Sequence, residues 1–408
     1  MKVLMVNKFL YPRGGAETYV LKLGEYLSEQ GHEVQYFGME DPHNTVGNAV
    51  SAYTSNMEFR GRMDISKATY PLKTIYSAEA RQKIRQVLDQ FAPDVVHINN
   101  FTYQLTPSIL LEIQDWRIKH KPDCRIVFTA HDSNLVCPNH LMQNPNTGEL
   151  CTKCLGGHFY HCTQGNCIHG SRVKSIIGSI EGYFWKWNGA YRYLDAIISC
   201  SDFMKERLKS DPQLADKITV LHNFVEDIPW KGFAPEKGGI QKRDYVLYFG
   251  RYSEEKGIRT LLKVAARLPR VNFVFAGGGP LENEISGLAN VHNVGFQSGP
   301  ALEKLIREAR FSICPSECYE NCPFSVMESL KYGTPVIGSK LGGIPELIEE
   351  GINGELFEAG NAEELEELIA SLWNDRARTQ TYARNCQKLP FDTIEEYTEK
   401  LLPIYQGK

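Results

Sequence analysis

CPSECYENCPFSVMESLKYGTPVIGS, residues 314–339, reads as a strand end, a loop, a helix and a second strand in direct succession. A loop of Ser, Glu and Asn leads into Pro323. Phe324, Val326, Met327 and Leu330 then recur at helical spacing, and Gly333 closes the run. Proline in a first helical turn and glycine just past the last one mark the two ends of a helix. A short apolar strand, Pro335 to Ile337, follows. Such a unit belongs to a parallel α/β sheet.

Outward from this segment, the same alternation fills the chain. Met1–Val6 reads as a strand, Asn7–Gly15 as a glycine-bearing loop, and the next helix sets Val20, Leu23 and Leu27 on one face before Gly31. Further strands are expected at 33–37, 95–98, 126–129, 196–199 and 218–221. Residues 226–243, EDIPWKGFAPEKGGIQKR, read as a linker rich in Pro, Gly and charge. Strands then resume at 245–249, 273–275, 292–294, 311–314 and 336–337. Continuous apolar strands imply sheets covered on both faces. The expectation is α/β: two Rossmann-like, doubly wound parallel-sheet domains facing across a cleft. The first would span residues 1–225, the second 226–390. Ligands in such folds sit outside the carboxyl ends of the strands.

The chain has 408 residues, 42% hydrophobic and 23% charged, with a formal net charge of −4. That is enough apolar content for sizeable cores. Nothing in the charge balance points to nucleic acid. The first 225 residues are slightly basic and the rest clearly acidic, as two domains with different surroundings would be. No apolar run reaches the roughly 18 residues of a membrane helix. Eleven cysteines, an odd number in a long chain, give no secreted disulfide framework, so a reducing cytoplasm is expected.

Several strand ends could receive a phosphate. Gly14-Gly15-Ala16-Glu17 lies where a strand turns into a helix, and amides at a helix N-terminus attract anions. FGRYSEEKG places Arg251 and Lys256 after another strand, two cations suited to clamping a diphosphate. Gly277-Gly278-Gly279-Pro280 and Gly342-Gly343-Ile344-Pro345-Glu346 add two close-approach loops. The chain contains neither Asp-x-Asp nor G-x-x-x-x-G-K-[ST]. The fixed cations would then stabilise a leaving phosphate without a catalytic metal. Glu320 and Glu328 stand eight residues apart, a rise of roughly 12 Å if helical. That span matches a sugar ring, a diphosphate and a ribose, with an acceptor-only carboxylate at each end. Two solvated surface glutamates are the competing reading.

Taken together, Glu320-x7-Glu328, Gly250-Arg251…Lys256-Gly257, Gly277–Pro280, the 14–17 turn and His131-Asp132 resemble a retaining glycosyltransferase of family 4 with the GT-B fold, of the type that builds bacterial polysaccharides. The resemblance spans essentially the whole chain. It implies a nucleotide diphosphate-sugar donor (UDP- or GDP-sugar) in the interdomain cleft. Glu328 would hold the ribose and Glu320 the transferred sugar. Arg251, Lys256 and Gly15 would meet the diphosphate, and His131 the sugar near its 6-position. Gly278, Asn321, Cys322 and Pro323 would complete donor binding. Glu320 and His131 are the catalytic candidates, and retention through front-side attack makes Glu320 a sugar anchor before a nucleophile. The last helix, within 391–408, would return to the first domain through Ile394, Tyr397, Leu401 and Ile404. Asn321-Cys322-Pro323 departs from the glycine common after the first Glu, and His222-Asn223-Phe224 from Asn-Gly-Val. Both departures bear on the donor sugar.

An insert at 137–170 holds Cys137, Cys151, Cys154, Cys162 and Cys167. C-x2-C and C-x4-C spacings suit a structural zinc site; a disulfide or free thiols are the other readings. Residues 182–193, GYFWKWNGAYRY, are expected to pack as a buried aromatic helix, with a membrane-surface patch as the alternative. The acceptor is expected to be a glycan or lipid-linked glycan hydroxyl, and the location cytoplasmic, at most peripheral on the inner membrane face. Two rival functions are a sugar-nucleotide epimerase on the same fold and a catalytically silent sugar-nucleotide-binding partner. The oligomeric state has no signal in the sequence.

Overall fold

A computed structural model describes residues 1–56, 70–225, 242–386 and 391–408. All but the last two residues of the linker segment lie outside them. The chain forms two compact units, Met1–Leu221 with Ile394–Lys408, and His222–Thr393.

The first unit is built on a six-stranded sheet: β1 (Lys2–Val6), β2 (Glu33–Phe37), β3 (Val95–Ile98), β4 (Arg125–Ala130), β5 (Ala196–Ser199) and β6 (Ile218–Val220). Their order is β2-β1-β3-β4-β5-β6, and every pairing is parallel. Val3 to Val6 and Val95 to Ile98 are fully or almost fully buried, as strands covered on both faces must be. The Gly15–Glu29 helix buries Tyr19, Val20, Leu23 and Leu27.

The second unit has β7 (Val246–Arg251), β8 (Phe273–Gly278), β9 (Val291–Asn293), β10 (Phe311–Cys314), β11 (Val336–Ser339) and β12 (Gly354–Phe357), in the order β12-β11-β10-β7-β8-β9. These pairings are parallel too. Val246, Phe273, Phe275, Phe311, Ile337 and Phe357 form its core with Ile258, Leu261 and Leu365 from the flanking helices. The expected doubly wound architecture is observed. β12 was not expected: its GELF sequence mixes a glycine and a charge into four residues and so lacks a continuous apolar run. β7 and β8 run two or three residues past their apolar runs, because Gly250–Arg251 and Gly277–Gly278 pair in register.

The Ile394–Gln406 helix packs on the first unit and buries Tyr397, Leu401 and Tyr405. Tyr397 Oη lies 2.7 Å from Tyr19 Oη. Tyr405 Oη lies 2.6 Å from His97 Nδ1, and His97 Nε2 lies 2.7 Å from Thr129 Oγ1. Burial drives the His97 pKa to about 3, so the imidazole is neutral and can hold this network.

Candidate active site

In the second sheet the winding reverses between β7 and β10, and doubly wound sheets bind ligands outside the carboxyl ends at such a point. The loops leaving these two strands are locked together there. The Glu317 amide donates to the Glu255 carbonyl at 2.9 Å. Gly257 takes φ +70°, and a Cβ on it would stand 1.9 Å from the Pro315 carbonyl oxygen, so only glycine fits.

This packing brings Lys256 and Glu320 together across 64 residues of sequence. Lys256 Nζ donates to Glu320 Oε1 at 2.5 Å, and Ser316 Oγ donates to the same oxygen at 2.6 Å. Burial opposes the Lys256 charge, but the Glu320 carboxylate outweighs it and holds the pKa above the ordinary lysine value. The Glu320 backbone is fixed as well. Its carbonyl accepts from the Gly343 amide at 2.8 Å. Gly342, at φ +64°, approaches so closely that a Cβ would lie 2.1 Å from that carbonyl oxygen.

Arg251 is the exposed last residue of β7 and stands in register with Gly278 of β8. Glu328 is half-buried on the Phe324–Lys331 helix, beside buried Val326, Met327 and Leu330. Pro323 is the N-cap of that helix and supplies no side-chain cap, leaving first-turn amides for an outside acceptor. Asn321 is half-buried. Cys322 is buried, and its thiol and carbonyl are engaged within the unit. The Asn223 amide donates to Cys322 Sγ at 3.4 Å and Asn223 Nδ2 to its carbonyl at 3.0 Å. Burial lifts the Cys322 thiol to about 12. At this position the side chain therefore anchors the loop.

In the first unit, Gly15 opens the helix after β1, and its N-cap Gly14 makes no side-chain cap. His131 follows β4. Its Nε2–H donates to Asn99 Oδ1 at 3.0 Å, and Tyr19 meets its ring edge-on at 4.9 Å. Burial lowers its pKa to about 3, so His131 is a neutral hydrogen-bonding group at neutral pH. Asn99 and Tyr19 escaped the sequence reading, as did Lys8. The Lys8 ammonium stands 5.3 Å from the Tyr103 ring centre. Burial, and then Arg13, lower its pKa to about 8. Its signal was available: a cation two residues beyond an apolar strand.

The expected zinc site finds no support. Cys137, Cys151, Cys154, Cys162 and Cys167 do line one small cavity, with His161. All are free thiols, and among the described residues no three His, Cys, Asp or Glu side chains are placed to hold a metal ion. Cys154 and Cys162 instead pack with Phe159 and Ile168 as small apolar side chains. A hydrogen bond between Cys162 and Cys167 raises the first thiol well above its ordinary value and lowers the second to about 7. The aromatic segment also departs from expectation. Trp185 and Tyr191 are buried, but Phe184 and Trp187 are exposed, Trp187 by 78%.

Two family models match. Residues 13–227 match Glycosyltransferase Family 4 and residues 231–389 match Glycosyl transferases group 1. The chain is 21% identical over its whole length, and over the whole length of the relative, to an uncharacterized 42.6 kDa protein in the cps region of Klebsiella pneumoniae. It is 22% identical to O-antigen chain mannosyltransferase C of Escherichia coli, covering 95% of this chain and 93% of that one. Among solved structures, Anabaena HepE in complex with UDP covers 100% of both chains, with a TM-score of 0.66 and 19% identity. The Family 4 match alone takes in more than half of the residues, and the chain belongs to Glycosyltransferase Family 4.

Proposed function

We propose that this glycosyltransferase moves a hexosyl group from a UDP- or GDP-sugar to a hydroxyl of a growing glycan or lipid-linked glycan, with retention of anomeric configuration. The observation that carries the reading is the Lys256–Glu320–Ser316 cluster at the point where the second sheet reverses its winding. A cation and a carboxylate held there suit a diphosphate and the hydroxyls of the sugar attached to it.

In this reading Arg251 and Lys256 take the diphosphate, with the Gly278 loop, Asn321, Pro323 and the backbone of Cys322 closing around it. Glu328 accepts from the ribose hydroxyls, and Glu320 from those of the transferred sugar. Gly15 and the neutral His131 are the first unit's contributions to the diphosphate and the sugar. The bond from the anomeric carbon to the phosphate oxygen breaks as the acceptor oxygen bonds to the same face. The acceptor's proton passes to the departing phosphate oxygen. Arg251 and Lys256 stabilise the charge that develops there. Glu320 orients the sugar and forms no covalent intermediate. HepE structures in complex with UDP and with UDP-glucose support a nucleotide-sugar donor, and the names of the cps-region and O-antigen relatives support a polysaccharide acceptor. No observation favours the epimerase or the silent binding protein.

A panel of nucleotide sugars read by thermal stabilisation tests this assignment. One UDP- or GDP-sugar should raise the melting temperature. Glu328→Ala should weaken UDP or GDP binding, whereas Glu320→Ala should spare nucleotide binding and abolish transfer. Equal loss of nucleotide affinity in both variants would contradict the division of roles.

A further inference from the structure

The Arg172–Asn188 helix is amphipathic in the wrong sense for a helix on a soluble surface. Its buried side is Ser175, Gly178, Ser179 and Trp185. The inward serines are fully used: Ser175 Oγ donates to the Ser171 carbonyl at 2.8 Å, and Ser179 Oγ to the Phe159 carbonyl at 2.8 Å. At Gly178 a Cβ would stand 2.4 Å from Ile168 Cδ1. The outward side carries Val173, Ile176, Ile180, Phe184 and Trp187, exposed by 68, 40, 51, 38 and 78%. At about 100° per residue these five fall within an arc of about 80°, a single continuous stripe.

Charge follows the same arrangement. Arg172 and Lys174 are exposed in the first turn, where cations oppose the helix dipole and weaken the helix. The adjoining Tyr70–Ile75 helix, tied on by the bond from Trp185 Nε1 to the Ile75 carbonyl at 3.0 Å, adds exposed Leu72 and Lys73. Glu181, the helix's one acidic residue, is half-buried, and burial lifts its pKa to about 8. Its carboxyl is therefore mostly neutral at pH 7. An outer face of aliphatic residues, ending in Phe and Trp and flanked by cations, has the makings of a helix lying in a lipid interface. Both features cost the free protein something, and a negatively charged apolar surface would turn both to advantage.

We propose that this face docks on an anionic lipid surface, the Val173–Trp187 stripe entering the interface and Arg172, Lys174 and Lys73 meeting the headgroups. Docking would bring the first unit to lipid-linked glycans; no helix among the described residues is long and apolar enough to cross a bilayer.

Cosedimentation of the full chain with vesicles tests this without donor or acceptor, so its outcome is independent of the proposed reaction. The chain should bind vesicles of phosphatidylcholine containing about one-third phosphatidylglycerol, and bind pure phosphatidylcholine at least about tenfold more weakly. The Ile180→Ser, Trp187→Ser double variant should lose about tenfold or more in affinity for the anionic vesicles while melting like the parent. The Arg172→Glu, Lys174→Glu variant, confined to exposed side chains, should lose the preference for anionic lipid. Failure of the parent chain to bind anionic vesicles overturns the proposal, as does binding that neither variant changes. A dimer that the Ser variant converts to monomer, with vesicle binding intact, would assign the stripe to a second copy and likewise overturn it.

Discussion

Lys256→Met removes one charge while keeping the length of the side chain, and the structure sets what that should cost. Nζ lies 2.5 Å from Glu320 Oε1, with the two side chains 31% and 14% exposed. At an effective dielectric of about 20 the gross attraction over that distance is about 6–7 kcal/mol. Desolvation of both ions offsets most of it. Removing one partner of a fully buried pair costs about 3–5 kcal/mol, and partial exposure of this lysine lowers the expectation to about 1–3 kcal/mol. For a unit of this size that is a fall of roughly 2–12 °C in melting temperature. Glu320 keeps the Ser316 hydroxyl, so the loop should not collapse. The effect on transfer should be much larger. Losing a fixed charge aimed at a developing anion costs about 2.7–4 kcal/mol, or 10²–10³ in kcat. Calorimetry gives the stability change, and nucleoside diphosphate release at a temperature where both proteins are folded gives the rate. Glu320→Gln serves as the comparison, since it breaks the ion pair but keeps Lys256. A folded Lys256→Met enzyme transferring within about threefold of the parent rate would refute the reasoning. The ion pair would then be structural only.

Asn99→Ala removes the acceptor that orients His131; kcat should fall by about 10-fold or more with the fold intact, and an unchanged kcat would remove His131's orientation from the account. Tyr397→Phe strips one hydroxyl from the buried Tyr19 pair and should destabilise the first unit by about 1–2 kcal/mol in denaturant unfolding. His97 and His131 have folded pKa values of about 3, below the ordinary histidine value. The unfolded chain therefore binds more protons between pH 6.5 and 3. Full stability is present above the unfolded histidine pKa and is lost as pH falls, by up to about 1.4 kcal/mol per pH unit for each histidine. Urea midpoints across that range check the slope, and His97→Gln should flatten it. Cys167, with its pKa lowered to about 7, should alkylate ahead of Cys154, raised to about 12; mass spectrometry after brief iodoacetamide treatment reads the order.

Much of the architecture was legible because strands buried on both faces must be apolar along most of their length. β1, β3, β5 and β10 stand in the sequence as such runs, and β12 was missed because Gly354-Glu355-Leu356-Phe357 mixes a glycine and a charge into four residues. The site was legible where local geometry demands a residue type, as at Gly257 and Gly342. It was illegible where side chains meet across the fold. Nothing in the sequence pairs Lys256 with Glu320, sets Asn99 against His131, or ties Tyr19 to Tyr397. Periodicity also misled. The aromatics of 182–193 read as a buried helix face, yet Phe184 and Trp187 are exposed, because serine and glycine take the inside. The cysteine spacings gathered five thiols around one cavity without producing a metal-holding geometry.

The most direct measurement is proton NMR of the reaction itself, with UDP- and GDP-linked α-hexoses offered to the enzyme together with a glycan acceptor extract. One donor should release its nucleoside diphosphate in step with a new glycosidic bond whose anomeric signal is α. A β-linked product would contradict retention, and an isomerised nucleotide sugar with no acceptor product would contradict transfer altogether.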